Sequence, residues 1–396
     1  MPELAAKNPI RIAVVTGSRA DYGLLYSVMR AIDNEPLFEL QTVITGMHLC
    51  AEFGDTYKTI AADGFDINAR VDCLLSGDSP VATAKSMGLG VIGFAEALRS
   101  LSPNMLLVLG DRFEIFAAVQ TALILNIPVA HIAGGDTTEG AYDESLRHSI
   151  TKMAHLHFAT NEQAAQRIQQ LGENPKHVFN VGSPGIDLIV QTPLLSKLQL
   201  AERLNTKLCE KLFLVTFHPT TLDATDVEQQ CHELTGALDH YRHDCSVLIT
   251  KANADAGGRR INQLLADYIS QRKNTMIVTS MGQQLYYSAI AAADVVIGNS
   301  SSGLYEAPTL KTPTVNIGDR QKGRLRAHSV VDCGIDKEQI LNAIEIALKM
   351  DCEDIVNPYG DGHASEKIMT TLREFADKNR LNGLLKKHFY GLTDGK

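Results

Sequence analysis

Short apolar runs rich in β-branched residues recur along the chain, and amphipathic helical patterns fill the intervals between them. The first series of runs covers residues 10–16 (IRIAVVT), 40–45, 105–110, 127–132, 157–160 and 178–182. A second series covers 212–217, 246–250, 275–279, 294–298 and 312–317. The runs are continuous rather than alternating, which predicts strands covered on both faces in parallel sheets. Helical patterns occupy 24–33, 82–101, 115–125 and 141–155, and strand–helix alternation predicts βαβ units. The rhythm breaks at 183–212, which holds Ser183-Pro184-Gly185 and Thr192-Pro193. The expected fold class is therefore α/β, with two Rossmann-like, doubly wound parallel-sheet domains facing across a cleft. Their expected limits are 1–187 and 188–365. A charged tail of helical pattern, 366–396, follows, and its path, back over the first domain or away from it, is left open by the pattern. Ligands of such sheets sit beyond the carboxyl ends of the strands, so the chemistry is sought just after each run.

Composition narrows the partners. The 396 residues suit two or three domains. Hydrophobic residues make up 44% and charged residues 21%, an ordinary globular balance. The net charge of −9 argues against nucleic acid or an anionic membrane surface, both of which reward basic patches. It leaves room for a small anion held by a few local cations. Seven cysteines are scattered without C-x-x-C spacing, which predicts reduced thiols and no metal site. With no basic segment and apolar run at the N-terminus, the expected location is cytoplasmic. The longest apolar stretch, 115–130, is broken by Gln120, Thr121 and Asn126; it predicts a buried helix running into a strand rather than a membrane span.

Polar residues cluster at the run ends. After the first run, Gly17-Ser18-Arg19 opens a helix, a setting where backbone amides and the Arg19 guanidinium can hold an anion; an ordinary tight turn reads equally well. After 105–110 come Asp111 and Arg112, as a carboxylate and cation for catalysis and substrate, or as a helix cap. His131 and Asp136 flank the Gly134-Gly135 turn, and Asp143 and Glu144 begin the next helix with Arg147 and His148 at i,i+4. Surface ion pairing alone would explain the latter pairs; the concentration of polar groups at one strand end favours an active site. In the second half, His218 ends a run before Pro219, and its near-neutral pKa suits phosphate binding or acid catalysis. Gly298-Asn299-Ser300-Ser301-Ser302-Gly303 follows the 294–298 run as a cradle for a diphosphate, with Glu306 one turn on for a ribose diol and Arg320 supplying charge downstream. The G-x-G-x-x-G at Gly88, Gly90 and Gly93 follows no strand and lies in a helical pattern, so no nicotinamide cofactor is expected.

In order along residues 10–365, the motifs GSRADYG, SMGLG, LGDRFE, HIAGGD, DESLRHSITK, HPTT, GNSSSG and GDRQKGR together resemble those of the hydrolysing UDP-N-acetylglucosamine 2-epimerases. The resemblance implies a glycosyltransferase-B type fold, a UDP-sugar partner, no cofactor, and a homodimer or homotetramer. The helix pattern at 82–101 is a candidate interface by its apolar content. The resemblance also implies that Arg19, His218, Asn253, Ser300, Ser301 and Arg320 hold UDP, with Glu306 on the ribose and Arg112 on the substrate. Asp111 and Asp143 match catalytic carboxylates. The implied reaction removes the sugar C2 proton and expels UDP to give a 2-acetamidoglycal. Water then adds at C1 while C2 is reprotonated on the opposite face. Where the family carries a Glu before the Gly-Gly pair, this chain has Ala133; either Asp136, Glu144 or His131 covers that role, or the substrate differs. Gly23 and Ser280 stand where some relatives have Ser and His. The expected substrate is UDP-N-acetylglucosamine, with UDP-2,4-diacetamido-2,4,6-trideoxyglucose as the alternative. A non-hydrolysing epimerase, a glycosyltransferase and a binding protein without turnover stay open.

Overall fold

In β1 (Ile10–Thr16) every residue except Arg11 is buried, and successive side chains feed two different cores. Ile12 and Val14 join one apolar cluster, Ala13 and Val15 another. That two-sided burial is what a continuous apolar run dictates: with period two, one strand needs cover on both faces. The computed structural model describes residues 9–77, 79–137, 142–219, 227–252, 258–270, 272–279 and 281–391. Strands β2 (Phe38–Thr45), β3 (Ile67–Val71), β4 (Met105–Leu109), β5 (Val129–Ile132), β6 (Leu156–Ala159) and β7 (Val178–Asn180) join β1 in a parallel sheet. Its order is β3-β2-β1-β4-β5-β6-β7. A second parallel sheet has the order β10-β9-β8-β11-β12-β13. It is built from β8 (Lys211–Thr216), β9 (Cys245–Thr250), β10 (Thr275–Val278), β11 (Val295–Gly298), β12 (Thr314–Ile317) and β13 (Val330–Cys333). In each sheet the order reverses beside the first strand, between β1 and β4 and between β8 and β11. These are the switch points where doubly wound folds open a crevice.

Two strands escape the sequence pattern. β3 is an edge strand with exposed and half-buried residues alternating, and β13 is a half-buried edge strand. An edge exposed on one side lacks the unbroken apolar run by which the central strands were recognised. The segment at 183–212, where the rhythm breaks, contains the helices Pro184–Gln191 and Lys197–Arg203. The helix Pro80–Leu101 is long and apolar enough to cross a membrane by length and composition. Its Gly90 packs on Ala117 and Cys73 and its Gly93 on Val71, so two glycines of the G-x-G-x-x-G pattern serve close helix packing. Val81, Leu89 and Ile92 on the same helix are exposed.

The chain divides into two compact units, Met1–Leu188 with Gly362–Lys396, and Ile189–Asp361. The tail thus belongs to the first unit. Ile368, Met369 and Leu372 of the helix Ala364–Glu374, with Leu381 and Leu384, enter the same core as Ile12 and Val14. Asp187 caps that helix from 177 positions upstream: its carboxylate accepts from the Ala364 and Ser365 amides at 2.8 and 2.6 Å and from the Ser365 hydroxyl at 2.5 Å. Lys387 closes the far end. Its ammonium donates to the Lys152 and Ala154 carbonyls at 2.7 and 2.6 Å, at the end of the helix Tyr142–Met153, and pairs with Glu173 at 2.6 Å. A cation at a helix C-terminus meets the partial negative charge of the terminal carbonyls.

Burial works to raise the Glu173 pKa, but His157, Lys152 and Lys387 outweigh it and hold the carboxyl at about 2. An unfolded Glu titrates near ~4.3, so this stabilisation is complete above that pH and is lost as pH falls toward 2. Lys387→Met is expected to destabilise the first unit by up to about 3–5 kcal/mol, tempered by the two donors left on Glu173. Thermal melts from pH 7 to pH 2 check both points: the variant's melting temperature should be lower at pH 7 and fall less steeply in acid.

Candidate active site

The turn after β1 is organised by Asp21. Its carboxylate accepts from the Gly17 amide at 2.7 Å and the Thr16 hydroxyl at 3.1 Å, and also takes the Ser18 hydroxyl. Ser18 in turn caps the helix Arg19–Asp33 by accepting from the Asp21 amide. Two amides expected for an anion are therefore already bonded, and a carboxylate stands at the helix start. The exposed Arg19 side chain is what this turn offers a negative ligand. Beneath it, His48 is fully buried between Thr56 (Nδ1 to Oγ1, 2.7 Å) and Thr16 (Nε2 to Oγ1, 3.0 Å). Burial lowers its pKa, against the pull of Asp21. One proton direction satisfies the chain: Thr56 donates to His48, His48 to Thr16, and Thr16 to Asp21.

Beyond β4 the chain passes Gly110 in the left-handed region, φ +77°, and presents Asp111 and Arg112 at the start of the helix Phe113–Ile124. Glu114, in the first turn, is fully buried; its Oε1 accepts from Arg112 Nε at 2.5 Å and its Oε2 has no protein partner. A Cβ on Gly17 would lie 2.5 Å from Glu114 Oε1, so glycine there leaves the carboxylate its place. The charge of Arg112 also faces Asp21 and Asp143. Arg147, on the helix Tyr142–Met153, is nearly buried: Nη2 pairs with Asp111 Oδ2 and Nη1 donates to the Asp136 carbonyl at 2.7 Å. The structure thus gathers Asp111, Arg112, Asp143 and Arg147. Burial, then the neighbouring Asp111 carboxylate, raise the pKa of Asp143, with Arg147 and Arg112 opposing. Glu144 and His148, i,i+4 on that helix, pair at 3.7 Å.

His131 and Asp136 are placed otherwise than a proton-transfer role requires. His131 is fully buried; its Nε2–H donates to the Gly110 carbonyl at 2.8 Å and its Nδ1 lies 3.4 Å from the Thr151 hydroxyl. Burial pushes its pKa down to about 3. Neither nitrogen is presented to a ligand, and the ring acts as a strut under the Gly110–Asp111 turn. The Asp136 carboxylate is bound by Thr160 (3.0 and 3.1 Å) and Asn161 (3.1 Å), and burial raises its pKa. It anchors its own loop. Ala133 adopts φ +62°, so the backbone after β5 turns sharply where the missing Glu would stand. Of the three residues expected to cover that role, Glu144 alone lies in the cluster's helix with a partly exposed carboxylate.

In the second unit, Asn299 joins the turns after β8 and β11. Its Oδ1 accepts from the His218 amide at 2.7 Å and its Nδ2 donates to the His218 carbonyl at 2.8 Å. The Asn299 carbonyl accepts from Arg320 Nη1 at 3.2 Å and Gln321 Nε2 at 2.9 Å. Gly298, at φ +138°, ends β11 directly against the Thr216 carbonyl, where any Cβ would collide. Ser300 and Ser301 precede the single-turn helix Ser302–Tyr305, and Ser302 accepts from the Tyr286 hydroxyl at 2.9 Å. Glu306 follows that turn. Burial raises its pKa, against Ser302 and Arg324, and its Oε2 is buried without a protein partner. Such an orphaned oxygen fits a ligand hydroxyl. Asn253, Thr220, Thr221 and Ser280 lie outside the described residues. Among the described residues, no cluster of three or more His, Cys, Asp and Glu side chains is placed to hold a metal ion.

Sequence reasoning passed over Glu114, His48 and the full role of Arg147. Glu114 and Arg147 stood inside quoted motifs; nothing in the local pattern marks His48.

The family model described as UDP-N-acetylglucosamine 2-epimerase matches residues 30–373. A Campylobacter jejuni protein named GDP/UDP-N,N'-diacetylbacillosamine 2-epimerase (hydrolyzing) is 40% identical, covering 85% of this chain and 87% of its own. The Escherichia coli polysialic acid biosynthesis protein P7 is 35% identical, covering 92% of this chain and 94% of its own. The crystal structure of the Neisseria meningitidis UDP-GlcNAc 2-epimerase bound to UDP-GlcNAc superposes with a TM-score of 0.74 at 19% identity, covering 92% of this chain and 100% of that one. The structural likeness establishes the fold, two parallel-sheet α/β domains of the glycosyltransferase-B kind.

The strut role of His131 has a pH signature. An unfolded His titrates near ~6.5, so between there and about 3 the unfolded chain binds a proton that the folded one refuses. Stability on this account is complete above pH 6.5 and falls as pH drops, by up to ~1.4 kcal/mol per pH unit. His131→Gln should lower stability at pH 7.5 and reduce the slope between pH 6.5 and 4 by one proton's worth. Denaturant titrations across that range measure it; an unchanged slope counts against a neutral buried His131.

Proposed function

Because this chain belongs to the UDP-N-acetylglucosamine 2-epimerase family, we propose that it is a hydrolysing UDP-sugar 2-epimerase acting on UDP-2,4-diacetamido-2,4,6-trideoxyglucose. The observation that carries the reading is the gathering of Asp111, Arg112, Asp143 and Arg147 at the carboxyl ends of the first sheet. Epimerisation at C2 needs a group that takes the proton from one face and another that returns one to the opposite face. Asp143, its pKa raised by burial and by Asp111, is suited to hold a proton and release it. Glu144 is assigned the second proton-transfer role, since His131 and Asp136 are engaged in the framework. Asp111 is held in register by Arg147.

In the first step the C2–H proton passes to a carboxylate, the C1–O bond breaks, and UDP leaves with the bonding electrons. In the second, water oxygen bonds to C1 and gives up its proton to a carboxylate while a proton is delivered to C2 from the other face. Arg19 and Arg112 are assigned to the anionic substrate. In the second unit, Ser300, Ser301, His218 and Arg320 are assigned to the diphosphate and Glu306 to the ribose diol, with Asn253 counted among the nucleotide contacts. The reaction needs no hydride carrier. The exposed apolar positions Val81, Leu89 and Ile92 support a homodimer or homotetramer built on that helix, and we place the enzyme in the cytoplasm.

The substrate rests on the 40% identical relative, whose printed name carries diacetylbacillosamine, and on Ala133, which departs from the Glu of enzymes acting on UDP-N-acetylglucosamine. UDP-N-acetylglucosamine, giving free N-acetylmannosamine, is the second reading, supported by the description of the matching family model.

Incubation of each nucleotide sugar in deuterated water with NMR of the products separates the readings, and the GDP form of the diacetamido sugar tests the base. The expected outcome is a free, C2-deuterated 2-epimer from the diacetamido substrate and little from UDP-N-acetylglucosamine. A product retaining UDP would identify a non-hydrolysing enzyme, and transfer to an added acceptor a glycosyltransferase. Asp111→Asn and Asp143→Asn should each reduce turnover by about 10²–10⁴-fold with UDP affinity retained. Arg320→Ala should weaken UDP binding about tenfold or more. Robust turnover in either Asn variant, or unchanged UDP affinity in the Arg320 variant, removes that residue from its role.

A further inference from the structure

Glu114, in the first turn after β4, is fully buried, and the proposed chemistry gives its carboxylate no part. Two strand ends close over it. A Cβ on Gly17, after β1, would lie 2.5 Å from Oε1, and a Cβ on Gly46, after β2 at φ +55°, would lie 3.0 Å from the same atom. The two glycines therefore fix where Oε1 sits. Oε1 accepts from Arg112 Nε at 2.5 Å, while Oε2 is buried with no protein partner. Burial works to raise the pKa of Glu114, with Arg112 opposing.

A pair of this kind is weak support for a fold, because taking the carboxylate out of water offsets much of the attraction. Its two ends also differ in burial: the Glu114 side chain is enclosed, whereas that of Arg112 is 37% exposed. One end is fixed and the other is offered outward. With Nε held, the planar guanidinium has a set direction. Its Nη2 lies 3.7 Å from the Met47 sulfur, a weak acceptor, and its Nη1 has no partner among the described residues. Arg112 and Arg19, both assigned to the anionic substrate, border one pocket of about 310 Å³. The charge of Arg112 also faces Asp143, the group proposed to carry a proton.

Resting on the proposed reaction, we infer that Glu114 is a positioning residue: set between Gly17 and Gly46, its carboxylate holds the Arg112 guanidinium in the direction that meets the substrate's negative charge. Enclosed as it is, Glu114 acts through Arg112 and touches no part of the substrate. Without it Arg112 keeps its charge and loses its fixed direction, and a displacement of ~1 Å at such a contact costs on the order of 10²-fold in rate.

The test is a double-mutant cycle on kcat/KM for the full-length wild type, Glu114→Gln, Arg112→Met and the double variant. It uses whichever of UDP-2,4-diacetamido-2,4,6-trideoxyglucose and UDP-N-acetylglucosamine the wild type converts to a free 2-epimer. Glu114→Gln keeps the side-chain volume and leaves only a weaker, neutral hydrogen bond on Nε. It should lower kcat/KM about tenfold or more, with a melting temperature close to that of the wild type, since the charge left single belongs to the exposed partner. In the Arg112→Met background the same change should cost less than about twofold. Glu114→Asp, which keeps the charge but withdraws it by one methylene, should lose as much as Glu114→Gln, and it reports even if the Met variants fail to fold. A kcat/KM within about twofold of the wild type in Glu114→Gln or in Glu114→Asp overturns the assignment. So does an equal loss from Glu114→Gln with and without Arg112, which marks a packing role. A wild type that yields no free 2-epimer from either sugar overturns the reaction and this assignment together.

Discussion

Arg147 carries a positive charge into a nearly closed part of the first unit, and the arrangement of the candidate catalytic groups follows from satisfying it. A guanidinium withdrawn from water must find acceptors in fixed directions, because leaving one buried charge unpaired costs more than any single packing defect nearby. Its two terminal nitrogens reach Asp111, just beyond β4, and the Asp136 carbonyl, beyond β5. Two strand-end loops and the helix Tyr142–Met153 are thereby held to one mutual arrangement. Asp143, one turn before Arg147, is brought beside Asp111 as a consequence, and its raised pKa is the electrostatic result. The group suited to carry a proton and the group that stays paired differ because Arg147 bonds Asp111 directly.

The second unit solves the matching problem with neutral groups. Asn299 uses its amide to join the turns after β8 and β11, and its own carbonyl collects Arg320 and Gln321. Gly298 makes this possible by letting the end of β11 lie directly against β8. That bracket holds Arg320 by its Nη1 on the Asn299 carbonyl. In the first unit, by contrast, Asp21 occupies the helix start and Arg19 projects beyond it. The net charge of −9 is therefore no obstacle to an anionic substrate, since local placement rather than total charge sets the field a ligand meets.

Much of the fold was legible because burial leaves a mark on composition. β1, β4 and β8 are apolar on both faces and read as continuous runs; edge strands β3 and β13, wet on one side, did not. Candidate site residues were chosen where the chain concentrates polar groups after the strands, and the structure brings Asp111, Arg112 and Asp143 of that set together. The same rule overreached at His131 and Asp136, which occupy strand ends yet direct their polar atoms into the framework. Glu114 and His48 were missed for the complementary reason. Each is a polar residue enclosed by a partner distant in sequence, Gly17 packing against Glu114 and Thr16 bonding His48, and no local spacing records that.

By itself the sequence determined the α/β class, the doubly wound parallel sheets and the set of motifs at their carboxyl ends. These depend on periodicity and on local turn chemistry, which act between neighbours along the chain. Only the tertiary structure decided which of those polar groups are offered to a ligand. It also decided that the tail completes the first unit's core under the Asp187 cap and the Lys387 contact. Direction of a side chain, burial of a charge and the pairing of Arg147 with Asp111 are set by groups tens to hundreds of residues apart, and only folding brings those together.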